Sequence, residues 1–188
     1  MESTTFPVGR VPKPKELELS HYANSDGYDS SFLEDRVDRP KMPHNLLEDC
    51  VTLKDTSSIE PRYHHFSIIM SKSRRLAYLG AVNIDGNKLQ PIKFEPTEQY
   101  FDPRVDRKYQ VGPEAYIDSN LVFYHLIGRR DPVWGNVARE AEMDTLHITN
   151  CIPHYGDLND PIWQSLTDYV LDNADLGSKN QYFYRTTF

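Results

Sequence analysis

Cysteine is almost missing from this chain of 188 residues: Cys50 and Cys151 are far apart and form no CxxC pair. That scarcity argues against a disulfide framework or a zinc site. Long apolar runs are missing too. None approaches the roughly 20 residues that a membrane helix needs, so no membrane partner is expected. Met1 to Glu16 holds no apolar core of a secretory leader, which favours the cytoplasm. Glycine is scarcer than proline, 9 against 13, which implies stiff connections. Positive charge is in deficit, with 21 Lys and Arg against 28 Asp and Glu and a net charge of −7.

The deficit is uneven. Residues 1–61 carry 7 basic and 12 acidic side chains, and residues 141–188 carry 2 and 7. Residues 62–140 carry 12 and 9, a net of +3, gathered at Lys72/Arg74/Arg75, Arg104/Arg107/Lys108 and Arg129/Arg130. A basic face on an acidic protein is able to bind phosphate, although three ordinary solvated clusters have the same composition.

The length suits one domain with a substantial core. Residues 1–60 are polar and interrupted by Pro7, Pro12, Pro14, Pro40 and Pro43. They predict an irregular extension wrapping the body, disordered over its first dozen residues, with Tyr28 to Leu33 as its docking point. From residue 61 the pattern changes. Tyr63 to Met70 and Arg74 to Ile84 are rich in β-branched and aromatic residues around a short polar break, which predicts an antiparallel pair. Asp85-Gly86 ends the second strand. Shorter strands are expected over 90–94, 120–127, 145–149 and 181–188, a short helix over 136–143, and a loop over 95–112. The clearest helix begins at Asp160-Pro161, carries Ile162, Leu166, Tyr169, Val170 and Ala174 at helical spacing, and stops at Gly177.

Four local patterns stand out in order: HFS…RRLA…VNIDG over Tyr63–Gly86, DPVWG over Asp131–Gly135, DT.H.TN..P over Asp144–Pro153, and LN..W..L.D over Leu158–Asp168. In this order and spacing the chain resembles the DNA/RNA non-specific endonucleases, the ββα-metal nucleases, over roughly residues 60–175. The resemblance implies an α+β fold, an antiparallel β-sheet core with a ββα-metal motif and few helices. It divides the chain into the 1–60 extension and a nuclease-like domain over 61–188. Family domains continue past the last helix with more strands, so either the sheet is smaller here or the chain is a fragment.

The resemblance also implies a mechanism. His125, six residues before Asp131, stands where the family has the base that takes a proton from water, and imidazole is mostly neutral yet basic near pH 7. Asn159 stands where the family has its single protein ligand to Mg²⁺, an ion that keeps most of its waters and stabilises charge on the leaving oxygen. Asn150 is the supporting asparagine. His64, His65, His147 and His154 show no ligand spacing and are read as ordinary histidines.

The chain departs from the family at three places. Val122-Phe123-Tyr124 replaces the Asp-Arg-Gly before the histidine, a second arginine position falls near Phe94, and Thr167 replaces a glutamate that orients metal-bound water. Arg104, Arg129 and Arg130 are the remaining phosphate-binding candidates. The expected function is therefore a Mg²⁺-dependent hydrolase, an endonuclease contacting the backbone of DNA and RNA and impaired by these losses. The alternative is a decayed nuclease fold serving as a nucleic-acid-binding or protein-interaction module. A homodimer is left open.

Overall fold

The stretch from Arg62 to Asp85 folds back on itself, as its composition predicts. In the computed structural model, which describes residues 13–94, 98–117, 119–155, 165, 169 and 178–186, β1 (Lys15–Glu16) runs parallel to β5 (Tyr100–Phe101). β2 (Arg62–Tyr63), β3 (Phe66–Met70), β4 (Ala77–Asp85) and β8 (Lys179–Arg185) form an antiparallel sheet in the order β2-β3-β4-β8. A second antiparallel pair joins β6 (Leu121–His125) to β7 (Cys151–Tyr155). Helix is sparse among the described residues: α1 (His44–Leu47), α2 (Ala138–Thr145) and single 3-10 turns. None of it is long and apolar enough to cross a membrane. The fold is α+β, with antiparallel sheet at its centre.

Every residue of β3 and β4 is buried, which explains why their sequences are continuously apolar rather than alternating. Each face of the hairpin has its own cover. Phe66, Ile68, Met70, Val82 and Ile84 pack with Tyr22, Val51, Val105, Leu126 and Ile127. Ile69, Tyr78 and Leu79 pack with Cys50, Met42, Leu46, Ile59 and Phe183. Residues ahead of the hairpin thus close part of both faces. Tyr28 is buried, donates its backbone N–H to Ser67 Oγ at 2.9 Å, and lays its ring against Phe183. Gly27 precedes it at φ 77°, where a side chain would strain the backbone and strike Ser67.

Gly80 decides how the second sheet sits on the first. A Cβ there would lie 2.8 Å from Ile127 Cδ1 and 3.2 Å from Leu126 Cδ2. Its absence lets the segment that follows β6 press directly onto β4.

Several expectations need correction. Residues 90–94 form no strand; only Leu89 bridges to Trp134. Residues 145–149 are not extended either. α2 runs through Thr145 and a 3-10 turn spans Ile148–Asn150, because the side chains of His147 and Asn150 bond backbone carbonyls and close the chain into turns. Residues 95–112 contain the short strand β5 as well as loop. Strand β8 spans Lys179–Arg185, two residues earlier at its start than expected. The two cysteines are free and buried. The predicted helix over 160–177 lies outside the described residues, apart from helical Ser165 and Tyr169.

Candidate active site

β6 ends at His125, and the chain then turns sharply through Gly128. Asn150, fully buried, sets the exit from that strand. Its backbone carbonyl accepts from Leu126 N at 2.8 Å and its Oδ1 accepts from Ile127 N at 2.8 Å. Its Nδ2 donates to the carbonyls of Ile127 and Thr145, both at 2.9 Å. One side chain thereby ties the residues after His125 to the end of α2. The turn itself is closed by Asp131, whose Oδ2 accepts from Gly128 N at 3.0 Å. Burial pushes the Asp131 carboxyl up to about 6, against the pull of that N–H and of the Tyr184 hydroxyl. Trp134 then donates Nε1–H to Asn83 O at 2.8 Å and stacks on His65, ring centroids 3.4 Å apart. The DPVWG pattern is therefore a clamp between the His125 turn and the hairpin.

His125 is half-buried and paired with Cys151 across the β6–β7 ladder. Its ring makes no hydrogen bond to a described residue. Burial, assisted by the positive charge of Arg129, lowers its pKa to about 4. At neutral pH it is an uncharged imidazole, the form a general base requires.

Arg129 leans toward α2, where its Nε donates to Glu142 Oε1 at 3.0 Å and its Nη2 bonds the same oxygen. Glu142 is buried in this pair. The guanidinium also lies 4.9 Å over the ring of Phe94, where the resemblance leads one to look for an arginine. Arg130 is exposed on the same turn. Arg104 is committed elsewhere. It grips Asp102 through Nη2 at 2.7 Å, donates to Arg62 O at 2.8 Å, and covers the Tyr22 ring at 3.9 Å. Asp102 is fully buried and also accepts from the Tyr63 hydroxyl at 2.6 Å. Despite its burial, Arg104 holds its carboxyl below the usual range. Phe123, in place of the family arginine, packs with Phe101, Ile148 and Cys151. Asn159 and Thr167 lie outside the described residues.

A second polar centre was not visible in sequence. Asp144 carries no exposed side-chain surface, and it accepts from His21 Nε2 at 2.6 Å and from both His64 N and His64 Nδ1 at 2.8 Å. Burial would raise its pKa, but bonds from His21 and His64 win and hold it at about 2. His21 is raised in return, chiefly by its bond to Asp144. His147 fills the adjacent space without reaching the carboxylate. Its Nδ1 bonds Asp144 O at 2.9 Å and its Nε2 bonds the Tyr22 hydroxyl at 2.7 Å. His21, His64 and Asp144 bring one ligand atom each within 4.8 Å of one another. The partners are separated by 43 and 80 residues, so no local spacing announces them. The DT.H pattern marks only Asp144 and His147.

Residues 51–188 match the model of the DNA/RNA non-specific endonuclease family. An uncharacterized protein of Sinorhizobium fredii (strain NBRC 101917 / NGR234), y4fB, is 33% identical over 170 residues, covering 83% of this chain. The chain spans 26% of the length of that relative. With the greater part of its length matched, the chain belongs to the DNA/RNA non-specific endonuclease family.

Proposed function

We propose that this chain is a metal-dependent endonuclease that hydrolyses phosphodiester bonds of DNA and RNA with little base preference. The observation that carries the reading is His125. In a chain of this family it stands at a strand end as an uncharged, half-buried imidazole beside Arg129, with its exit from the strand fixed by Asn150. His125 takes the proton from the attacking water. Arg129 and Arg130 draw the substrate phosphate to the turn, and contact with phosphate rather than base edges leaves sequence unread. The position of Arg129 over Phe94 supports its standing in for one of the two family arginines.

Asn150 fits a supporting role and not a ligand role, since Ile127 N already holds its amide oxygen. Mg²⁺ would be held by Asn159, where it would supply charge stabilisation at the leaving oxygen. The nuclease-like domain is residues 61–188, with residues 1–60 an extension lending Tyr22 and Val51 to its core.

One observation favours a second reading, a decayed nuclease fold that binds nucleic acid or protein without cutting. Phe123 is a core residue, Arg104 is held by Asp102, and Arg129 is paired with Glu142, so two of the three candidate cations are engaged. Loss of one donor to a developing oxyanion costs about 10² to 10³ in rate. Cleavage of supercoiled plasmid and of RNA, with Mg²⁺, with chelator and by His125→Ala, separates the two. Cutting that requires both Mg²⁺ and His125 supports the enzyme. Equal residual cutting in all three, with salt-sensitive DNA binding that survives chelator, supports the binding module.

A further inference from the structure

Around Asp144 three separate pieces of the chain meet. His21 comes from the 3-10 turn Leu19–Tyr22, His64 from the tight turn between β2 and β3, and Asp144 from α2. We propose that His21, His64 and Asp144 form a zinc-class metal site that staples the N-terminal segment to the hairpin and to α2. It shares no residue with the centre at His125 and does not depend on the nuclease reading.

Two imidazole nitrogens and one carboxylate oxygen are the donor set of zinc-like ions, whereas Mg²⁺ and Ca²⁺ prefer oxygen. Cysteine scarcity speaks only against a thiolate site. Each donor is aimed already: His21 Nε2 lies 2.6 Å from Asp144 Oδ1, and His64 Nδ1 lies 2.8 Å from Oδ2. Bonds of about 2.0–2.2 Å in a tetrahedral shell place ligand atoms about 3.3 Å apart. The ring bonded to the Asp144 oxygen that serves as ligand therefore opens by less than about 1 Å, while the other ring turns onto the ion from the second oxygen of the same carboxylate. All three ligand atoms lie within 4.8 Å of one another, so no pair has to close by more than about 1.5 Å.

His64 cannot swing away, because its own backbone N–H also bonds Asp144 Oδ2 and the His21 ring meets its ring edge-on at 5.6 Å. Such bonds are the outer supports that orient metal ligands. The neighbouring imidazole, His147, has both nitrogens engaged by Asp144 O and Tyr22 and is not a ligand. The nearby positive charge of Arg104 is neutralised by Asp102. His21 keeps 15% of its side chain exposed, which gives an ion an entrance and leaves room for water as a fourth ligand.

The test titrates tag-free, chelator-stripped full chain with Zn²⁺ by calorimetry and with Co²⁺ by visible absorption. The expected result is one equivalent bound, a tetrahedral Co²⁺ spectrum, and a rise in melting temperature on adding Zn²⁺. His21→Ala, at the solvent edge and therefore expected to fold, weakens binding at least about 10-fold and abolishes the rise, and Asp144→Asn does the same where it folds. His154→Ala, a half-buried histidine outside the cluster, changes neither. Failure of the wild type to take up one equivalent overturns the proposal. Equal affinity in His21→Ala, or displacement of Zn²⁺ by millimolar Mg²⁺, overturns it as well.

Discussion

Asp144→Ala is a severe change for stability that leaves the turn at His125 untouched. Its carboxylate is fully buried and receives bonds from His21, from the His64 ring and from the His64 backbone N–H. Truncation strands a buried N–H and two imidazoles, and breaking a buried charged contact of this kind costs about 3–5 kcal/mol. In a chain of this length each kcal/mol lowers the melting temperature by about 2–4 °C, so the loss is about 6–20 °C. The pH dependence gives an independent check. The Asp144 carboxyl lies at about 2 in the fold against an ordinary 3.8. A depressed carboxyl contributes stability that is present above its unfolded value and lost as pH falls through its folded one. The contribution is about 2 kcal/mol above pH 5, and most of it is gone at pH 2. Urea unfolding of wild type and Asp144→Ala at pH 7, 5, 3 and 2, in chelator, measures both quantities. The difference between the two proteins should shrink by about 2 kcal/mol between pH 5 and pH 2. Asp144→Asn should cost less than the alanine variant, since its amide oxygen still serves the His64 N–H while the neutral His21 ring accepts from its NH₂. A loss below about 1 kcal/mol at pH 7, or a difference between the proteins that does not change with pH, refutes the reasoning.

Other perturbations test other parts of the fold. With His125 at about 4, wild-type plasmid cleavage should stay level from pH 8 down to about pH 5 before falling. An acid limb centred near 6.5 would mean that the imidazole is solvated. Gly80→Val forces a branched side chain against Ile127 and Leu126 and should cost about 1–3 kcal/mol in urea unfolding, while an unchanged midpoint would show that the segment after β6 is not packed on β4 as described. Asp131 behaves oppositely to Asp144. Its carboxyl is raised to about 6 by burial, so the stability it permits is complete below 3.8 and lost as pH rises through 6. Asp131→Asn should therefore gain on the wild type by roughly 3 kcal/mol between pH 3 and pH 8, and a constant difference would contradict the burial.

What the sequence displays of this fold follows from the range of each interaction. The β3–β4 hairpin was legible because its burial on both faces leaves a continuous apolar run broken by a polar turn. Its end at Asp85 was legible because the Asp85 side chain accepts from Asn87 N within the same turn. The segment after α2 misled for the converse reason. Thr145 to Thr149 has the composition of a strand, yet Asn150 donates back to Thr145 O and accepts from the distant Ile127 N, and that tertiary bond decides the backbone. Propensity is a local quantity and gives way wherever a buried side chain satisfies distant main-chain groups.

The same distinction separates the two polar centres. The turn at His125 was legible because its neighbours in sequence, Gly128 to Gly135, are also its neighbours in space, so a motif marks the place. His21, His64 and Asp144 share no segment, and nothing in their spacing announces that they converge. The charge pattern of the middle third was visible, but the destinations of its arginines were not. Arg104 and Arg129 look alike as solvated cations, yet each ends at a buried carboxylate, Asp102 or Glu142, that composition places in different thirds of the chain. A count of basic residues therefore overstates the cationic surface that meets a phosphate. Of the three arginines singled out from sequence, Arg130 is the exposed one, and on the reading proposed above Arg129 would reach a phosphate only by leaving Glu142. If the proposed reading holds, the balance between cutting and merely binding turns on that ion pair as well as on the missing Asp-Arg-Gly.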